Sequence, residues 1–445
     1  MARTEQLSAR RQLRDVQVAK VRAQLDPANI RSFAESSPGR LLAFGLLLIA
    51  LCLAAGWVTA SAVSDRQQAL DVLLDDTEPD AHSAHRLYTS LSIADAAAAT
   101  AFISGGVEPE TVRNRYTRAV GAAAAELVTQ SGHTGPDGSA DHRLRTGIAT
   151  GLPVYTGVIE TARTNNRIGY PVGAAYLSEA SNQMQTVLLP MAQELQGHRS
   201  DAVDAAQSHH VRPPWLAIGL LLLTLGALGW AQRDLARRWR RTFNAGLLLA
   251  TGSILILLAW TVAAGSISAA AVIQGRDEGA APGSRLTETR ILAQQARSAE
   301  TLKLVLRDAT GDYDRTFDAG LTRMTELLAG YPADAPAADH LVEARSALDR
   351  WRGAHQRMNE TLDRGDFAGA AKVATGPGPA DAAAQVDALD RALELAQDRT
   401  RSTLRGNISQ AARVLDFLAP GALALGIAAA VYVGLGLWPR LREYR

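Results

Sequence analysis

The sequence predicts an all-α membrane protein, with four transmembrane helices and two extracytoplasmic antiparallel four-helix bundles arranged as a tandem, pseudo-twofold repeat. Three observations predict it. Four windows lack any charged residue or His: Leu41–Val63, Trp215–Ala231, Ala245–Ala264 and Phe417–Trp438. The two long segments they bracket, 64–214 and 265–416, are nearly equal in length. A short corner sequence in the first segment recurs, without a gap, in the second.

Each window is long enough to span a membrane. Roughly 20 apolar residues rising 1.5 Å apiece cover a hydrocarbon core of about 30 Å, so all four windows cross, the second only just. Charge sets their direction. Segments 1–40, 232–244 and 439–445 together hold sixteen Arg or Lys against six acids, a surplus of +10, which leaves −9 for the two long segments out of a formal total of +1. The positive-inside rule therefore places both termini and the 232–244 loop in the cytoplasm, and the long segments outside. A near-neutral total divided in this way argues against a nucleic-acid partner and for contact with the lipid bilayer. Trp57, Trp215, Trp230, Trp239, Trp260 and Trp438 lie at or near span ends, where amphipathic rings sit among headgroups; Trp351 does not. "TASA" at Thr59–Ala62 has a small-x-small pattern, but the chain ahead of the first window, and the window itself, are too long for a cleaved leader. Cys52, inside the first window, is the one cysteine, so no intramolecular disulfide forms.

Both long segments are rich in Ala, Leu, Arg and Glu and interrupted at matching places, which reads as helix throughout. In the first, "TEPD" at Thr77, "SGGVEP" at Ser104, "SGHTGPDGS" at Ser131 and "NRIGYP" at Asn166 interrupt it. In the second, the stripe Leu341, Ala344, Leu348, Trp351, His355 has helical spacing, as does Leu292, Ala296, Ala299, Lys303, Leu306. The runs in the first segment measure roughly 40, 24, 28 and 40 residues, about 60, 36, 42 and 60 Å of helix. An antiparallel four-helix bundle buries four such stripes with short turns, and its outer helices continue into the spans. A span, loop, span unit has been duplicated.

The repeated stretch is a corner. Tyr155 aligns with Trp351, Gly157 with Gly353, Gly169 with Gly365, and Gly173-Ala174-Ala175 with Gly369-Ala370-Ala371. Gly169 suits a positive φ ending one helix, Pro171 suits the first turn of the next, and Asp366 suits the cap before Phe367. The up-and-down layout puts both corners at the membrane-distal tips. Asn165, Asn166, Arg167 and Tyr170 of the first tip, with Asp363, Arg364 and Asp366 of the second, are the candidate partner-binding residues.

Catalytic signatures are missing. The chain has no Gly-rich phosphate loop, no H-E-x-x-H, no nucleophile elbow and no kinase set, so neither an enzyme nor a cofactor is expected. His82 and His85, three apart after the acidic "DDTEPD", form the one arrangement with metal-ligand spacing, and a solvated acidic turn explains it more simply. His209-His210 sits at the expected membrane rim. The spans contain no charged residue and no His, which argues against transport, while Gly426, Ala430 and Gly434 make a small-residue ridge suited to helix packing. The three inner segments are together too short for a signalling domain with its own core. Output must be borrowed, with Arg10, Arg11 and Arg14 on a basic N-terminal helix, carrying Val18, Val21 and Leu25 on one side, and Arg237 and Arg238 in the short loop as candidate cytoplasmic contacts.

The tip "NNRIGYPVGAAYLSEASNQMQTVLLP", the preceding "YTGVIETAR", the long basic leader and the duplicated four-span plan resemble the actinobacterial GlnX-type membrane proteins over essentially the whole chain. The resemblance implies a sensor that relays amino-acid availability from an extracytoplasmic lipoprotein of GlnH type to a cytoplasmic serine/threonine kinase of PknG type. It supplies no ligand residues. Two other classes stay open on the residues alone. One is direct sensing between the bundle helices, with Arg113, Arg115, Arg118 or Arg163 on a carboxylate; the other is an envelope scaffold without a ligand.

Overall fold

The computed structural model describes residues 37–103, 108, 110–129, 139–210, 214–239, 244–307, 310–376 and 378–442. Among them there is no strand. The α-helices among them, in chain order, are α1 Ser37–Val72, α2 Glu78–Ile103, α3 Glu110–Thr129, α4 Ala140–Ile168, α5 Val172–Gln183, α6 Leu189–His210, α7 Trp215–Trp239, α8 Ala245–Gly275, α9 Ala281–Leu306, α10 Asp312–Ala329, α11 Ala338–Asp363, α12 Phe367–Thr375, α13 Ala382–Arg413 and α14 Leu418–Arg442. Single π turns at Leu73–Thr77, Met184–Leu188 and Arg276–Ala280 join α1 to α2, α5 to α6 and α8 to α9.

Contacts divide the chain into two units, one built from Met1–Gln67, Pro213–Ser268 and Val414–Arg445, the other from Gln68–Arg212 and Ala269–Arg413. The first contains the four apolar helical stretches long enough to cross a membrane. Its interior is Leu, Ala and Ile, with Cys52 and Val433 among them, and includes Leu48, Leu228 and Ile254. Small residues set the closest crossings. A Cβ added to Gly426 would lie 2.9 Å from Cα of Gly56 on α1, and one added to Gly246 would lie 2.5 Å from Cα of Gly436. The expected ridge is therefore corrected: Gly434 meets nothing within 4 Å, and Gly436, on another face of α14, makes the contact with α8. Polar side chains here find partners on neighbouring helices. Gln232 Nε2 donates to Thr251 Oγ1 at 2.8 Å and Asn244 Nδ2 to Gly436 O at 2.8 Å. Trp57, Trp215, Trp230 and Trp438 are exposed.

The second unit holds both bundles. In the first, α2, α3, α4 and the pair α5–α6 enclose Leu87, Leu91, Ile148, Tyr155, Ile159 and Met184. In the second, α9, α10, α11 and α13 enclose Phe317, Leu321, Leu341, Leu348, Trp351 and Leu393. The buried stripe Leu341, Ala344, Leu348, Trp351, His355 is the one its spacing predicts, whereas Leu306 of the other stripe is exposed and Lys303 pairs with Asp314 at 2.6 Å. The copies match in detail. Tyr155 and Trp351 are both fully buried. The offset that carries the π turn Leu73–Thr77 onto Arg276–Ala280 also carries both ends of α2 onto those of α9. These two helices pack directly against each other, so the bundles form a single unit across an α2–α9 seam.

Candidate functional site

The two corners close in the same way. Ile168 ends α4, and Gly169 at φ 80° sends its N–H to Asn166 O at 3.0 Å while Tyr170 sends its own to Asn165 O at 2.9 Å. In the second copy Gly365, at φ 79°, donates to Leu362 O at 2.8 Å and Asp366 to Thr361 O at 3.1 Å. This pair of bonds is the Schellman motif, which satisfies the carbonyls a helix end leaves open. Asp366 then caps α12, accepting from Gly369 N at 2.8 Å. Gly173 permits close approach, because a Cβ there would meet Ala162 O and Asn166 N at 3.0 Å.

The candidate tip residues separate into two groups. Asn165 and Asn166 are half-buried; Nδ2 of Asn165 donates to Thr161 O of its own helix at 2.9 Å, and Nδ2 of Asn166 reaches across to Phe102 O at 3.2 Å. Arg167, Tyr170, Asp363, Arg364 and Asp366 are exposed. Arg364 Nη2 donates to Thr361 Oγ1 at 3.1 Å. No hydrogen bond or ion pair joins one corner to the other among the described residues. Arg237 is exposed on the last turn of α7, which also carries Arg238. The side chain of Arg238, all of Arg10, Arg11, Arg14, Val18, Val21 and Leu25, the "SGHTGPDGS" turn apart from Ser139, and the side chains of His209 and His210 lie outside the described residues.

Of the arginines named as candidates for a free carboxylate, Arg115 and Arg118 line an open cavity of about 740 Å³ together with Arg297, while Arg113 and Arg163 do not line it. Arg163 bonds Glu108 at 3.2 Å and Glu160 at 2.6 Å and lies over the Tyr116 ring at 4.1 Å; Arg113 reaches Glu108 at 3.7 Å. Arg115 bonds Asp387 of the other bundle at 2.5 Å, and Arg118 donates to Asn114 O on its own helix. Arg113, Arg115 and Arg163 thus have acidic partners, and Arg118 bonds only the backbone of its own helix.

The seam holds a denser group of polar residues. Tyr155 Oη, Ser181 Oγ, Gln185 Nε2 and Ser298 Oγ all donate to Asp95, at 3.4, 3.0, 3.2 and 3.3 Å, and the last comes from the opposite bundle. Burial pushes the Asp95 carboxyl up to about 6, against the pull of those donors. In the second bundle Glu300 takes the corresponding partner: Trp351 Nε1 lies 3.3 Å from both carboxylate oxygens, Arg297 Nη1 2.7 Å from Oε2 and His355 Nδ1 3.1 Å from Oε1. Burial pushes this carboxyl up as well, but the His355 hydrogen bond and the Arg297 charge outweigh it and hold the group below its usual value. His355 stacks on Phe317 at 3.6 Å, and its Nε2 is 3.2 Å from Asp314.

Further along the seam, Glu78 bonds Arg401 and Arg405, each at 2.5 Å. A cleft of about 1020 Å³ opens here, lined by His82, His85, Gln196, Arg290 and Gln397 among others. Burial, then the Arg290 charge, pushes the His85 imidazole down to about 4. Among the described residues no three His, Cys, Asp or Glu are placed to hold a metal ion. Glu78, which follows "DDT" and precedes the two histidines, is bound to arginines instead.

Sequence reasoning missed the seam acids. The available signal was a lone carboxylate in a stretch of small residues, Asp95 in "SIADAAAATAF" and Glu300 in "RSAETLKL". Repeat alignment could not pair them, since at the offset relating α2 to α9 Asp95 faces Ser298 and Glu300 faces Ala97.

The fold defines an all-α, multi-pass membrane protein, and one stretch of its sequence is similar to a known sensor domain. Residues 69–208 match the family described as the actinobacterial sensor domain, a stretch that takes in the first bundle. No curated protein and no solved structure matches the chain.

Proposed function

We propose that this protein is a transmembrane relay without catalytic activity of its own. In this reading both termini are cytoplasmic and the bundles extracytoplasmic. A solute-binding lipoprotein of GlnH type, loaded with an amino acid, docks on the exposed corner residues Arg167, Tyr170, Asp363, Arg364 and Asp366. The inner segments, with Arg10, Arg11, Arg14, Arg237 and Arg238, pass the state to a serine/threonine kinase of PknG type.

One observation carries the reading. Helix runs unbroken from Leu42 to Ile103 and from Ala245 to Leu306, 62 residues each, so each membrane stretch and its seam helix are one continuous run of helix. Helix shifts of about 1–2 Å at packed interfaces are enough to switch such elements, provided a ligand favours one arrangement. The seam between the two runs is crossed by polar contacts such as Ser298 to Asp95 and Gln295 to Tyr88.

The test uses the full chain in nanodiscs. Binding is measured for free aspartate and glutamate, and for a purified amino-acid-binding lipoprotein with and without its ligand. The relay predicts capture of the loaded lipoprotein alone, weakened by Arg167→Ala with Asp363→Ala. Saturable binding of the free amino acid would mean direct sensing, and no binding in any arm would mean a scaffold.

A further inference from the structure

Asp95 breaks a rule that other buried acids of the bundle unit obey. Glu78 faces Arg401 and Arg405, Glu108 faces Arg163, Glu126 faces Arg86 and Glu300 faces Arg297. Asp95 is 2% exposed, and its four partners are a phenol, two hydroxyls and an amide. No cation lies within ion-pair distance of it among the described residues. Buried charges in proteins are ordinarily paired, so a buried carboxylate with only neutral donors needs an explanation.

The carboxylate lines a cavity of about 260 Å³ at the seam, walled by both bundles. At ~30 Å³ per water-sized occupant this is room for about nine non-hydrogen atoms. Tyr88 and Tyr313 contribute aromatic surface, which attracts organic cations. Gln294, 3% exposed and part of the same wall, has an Nε2 donor with no hydrogen-bond partner. Among the described residues no Lys, Arg or His lines the cavity. The lining thus offers one uncompensated negative charge, aromatic walls and two unpartnered polar atoms, Gln294 Nε2 and Ser92 Oγ, and nothing to neutralise a ligand carboxylate.

From this juxtaposition we infer that the cavity binds a small organic ammonium carrying a neutral hydrogen-bond acceptor, an amino alcohol in chemical class. The ammonium supplies the counter-ion Asp95 lacks, and the hydroxyl accepts from Gln294 Nε2. Because its walls come from both bundles, an occupant bridges the seam. The site is independent of lipoprotein docking: a chain that fails to capture a loaded lipoprotein can still bind the amine, and the reverse holds equally.

The test is isothermal titration of the full chain, in nanodiscs of phosphatidylglycerol, with choline chloride and ethanolamine as probes and sodium glutamate and glycerol as comparators. Saturable binding of at least one amine is expected, with none for glutamate or glycerol. Asp95→Asn keeps the size of the side chain, removes its charge and turns one of its two accepting oxygens into a donor, and is expected to weaken that binding at least about thirtyfold. Ala299→Leu, which fills the cavity from α9 without touching the carboxylate, is expected to abolish it, and it replaces Asp95→Asn should that variant fail to fold by circular dichroism. Absence of binding by both amines at millimolar concentration, equal binding of glutamate or glycerol, or amine binding undiminished in the folded variants would each overturn the inference.

Discussion

Asp95 and His85 both lie on α2 and titrate in opposite senses. Desolvation raises the folded-state pKa of Asp95 from 3.8 to about 6, so the folded chain holds this proton to higher pH than the unfolded chain does. The stability it contributes is complete below about pH 4 and is lost as pH rises through 6, a loss on the order of 3 kcal/mol at neutral pH. His85 is lowered from 6.5 to about 4, so its contribution is complete above pH 6.5 and is lost as pH falls. The groups facing Asp95, namely Tyr155 from α4, Ser181 and Gln185 from α5 and the following turn, and Ser298 from α9, do not ionise in this window. Asp95→Asn is therefore expected to match the wild type in thermal unfolding at pH 4 and to exceed it at pH 7. Equal melting temperatures at both pH values would show that Asp95 is not desolvated as described. Neither acid was legible in the sequence: Asp95 depends on Ser298, which the opposite bundle places beside it, and Glu300 on Trp351 and His355, which another helix of its own bundle brings to it.

At the scale of the element, the corners were legible because their chemistry is local. Gly-Tyr-Pro and Gly-Asp-Phe specify an αL residue followed by a helix start, and the backbone adopts both. A Cβ on Gly365 would meet nothing within 4 Å, so Gly365→Ala carries only the cost of a positive φ, about 1 kcal/mol of stability. Ala337 is the converse case, a non-glycine residue at φ 75° before α11, and Ala337→Gly is expected to stabilise the chain by a similar amount. Chemical denaturation of the two variants should move the midpoint in opposite directions. The small-residue ridge on α14 was legible only in part. Spacing proposed Gly434, yet contact is decided by which neighbour lies on each face, and Gly436 meets Gly246 while Gly434 meets none.

For the whole molecule, the four apolar stretches and the duplication could be read directly, since hydropathy and repeat spacing report on single segments. The joining of both bundles into a single unit could not, because periodicity shows that a helix face is apolar and not which neighbour covers it, as with Ile291 and Val305 of α9 on the first bundle's core. The orientation proposed from Arg counts is testable with the single native cysteine Cys52 removed. Val172→Cys and Phe367→Cys, at exposed corner positions, are expected to react with a membrane-impermeant maleimide on intact cells; labelling only after lysis would reverse the proposed topology. The wide turns that interrupt the helices have a bearing on descent. Two of them occupy equivalent positions at Leu73–Thr77 and Arg276–Ala280, whereas Met184–Leu188 has its equivalent in neither register of the second copy. The shared pair is what copying of one unit leaves behind, and the unmatched one marks a place where the two copies now differ.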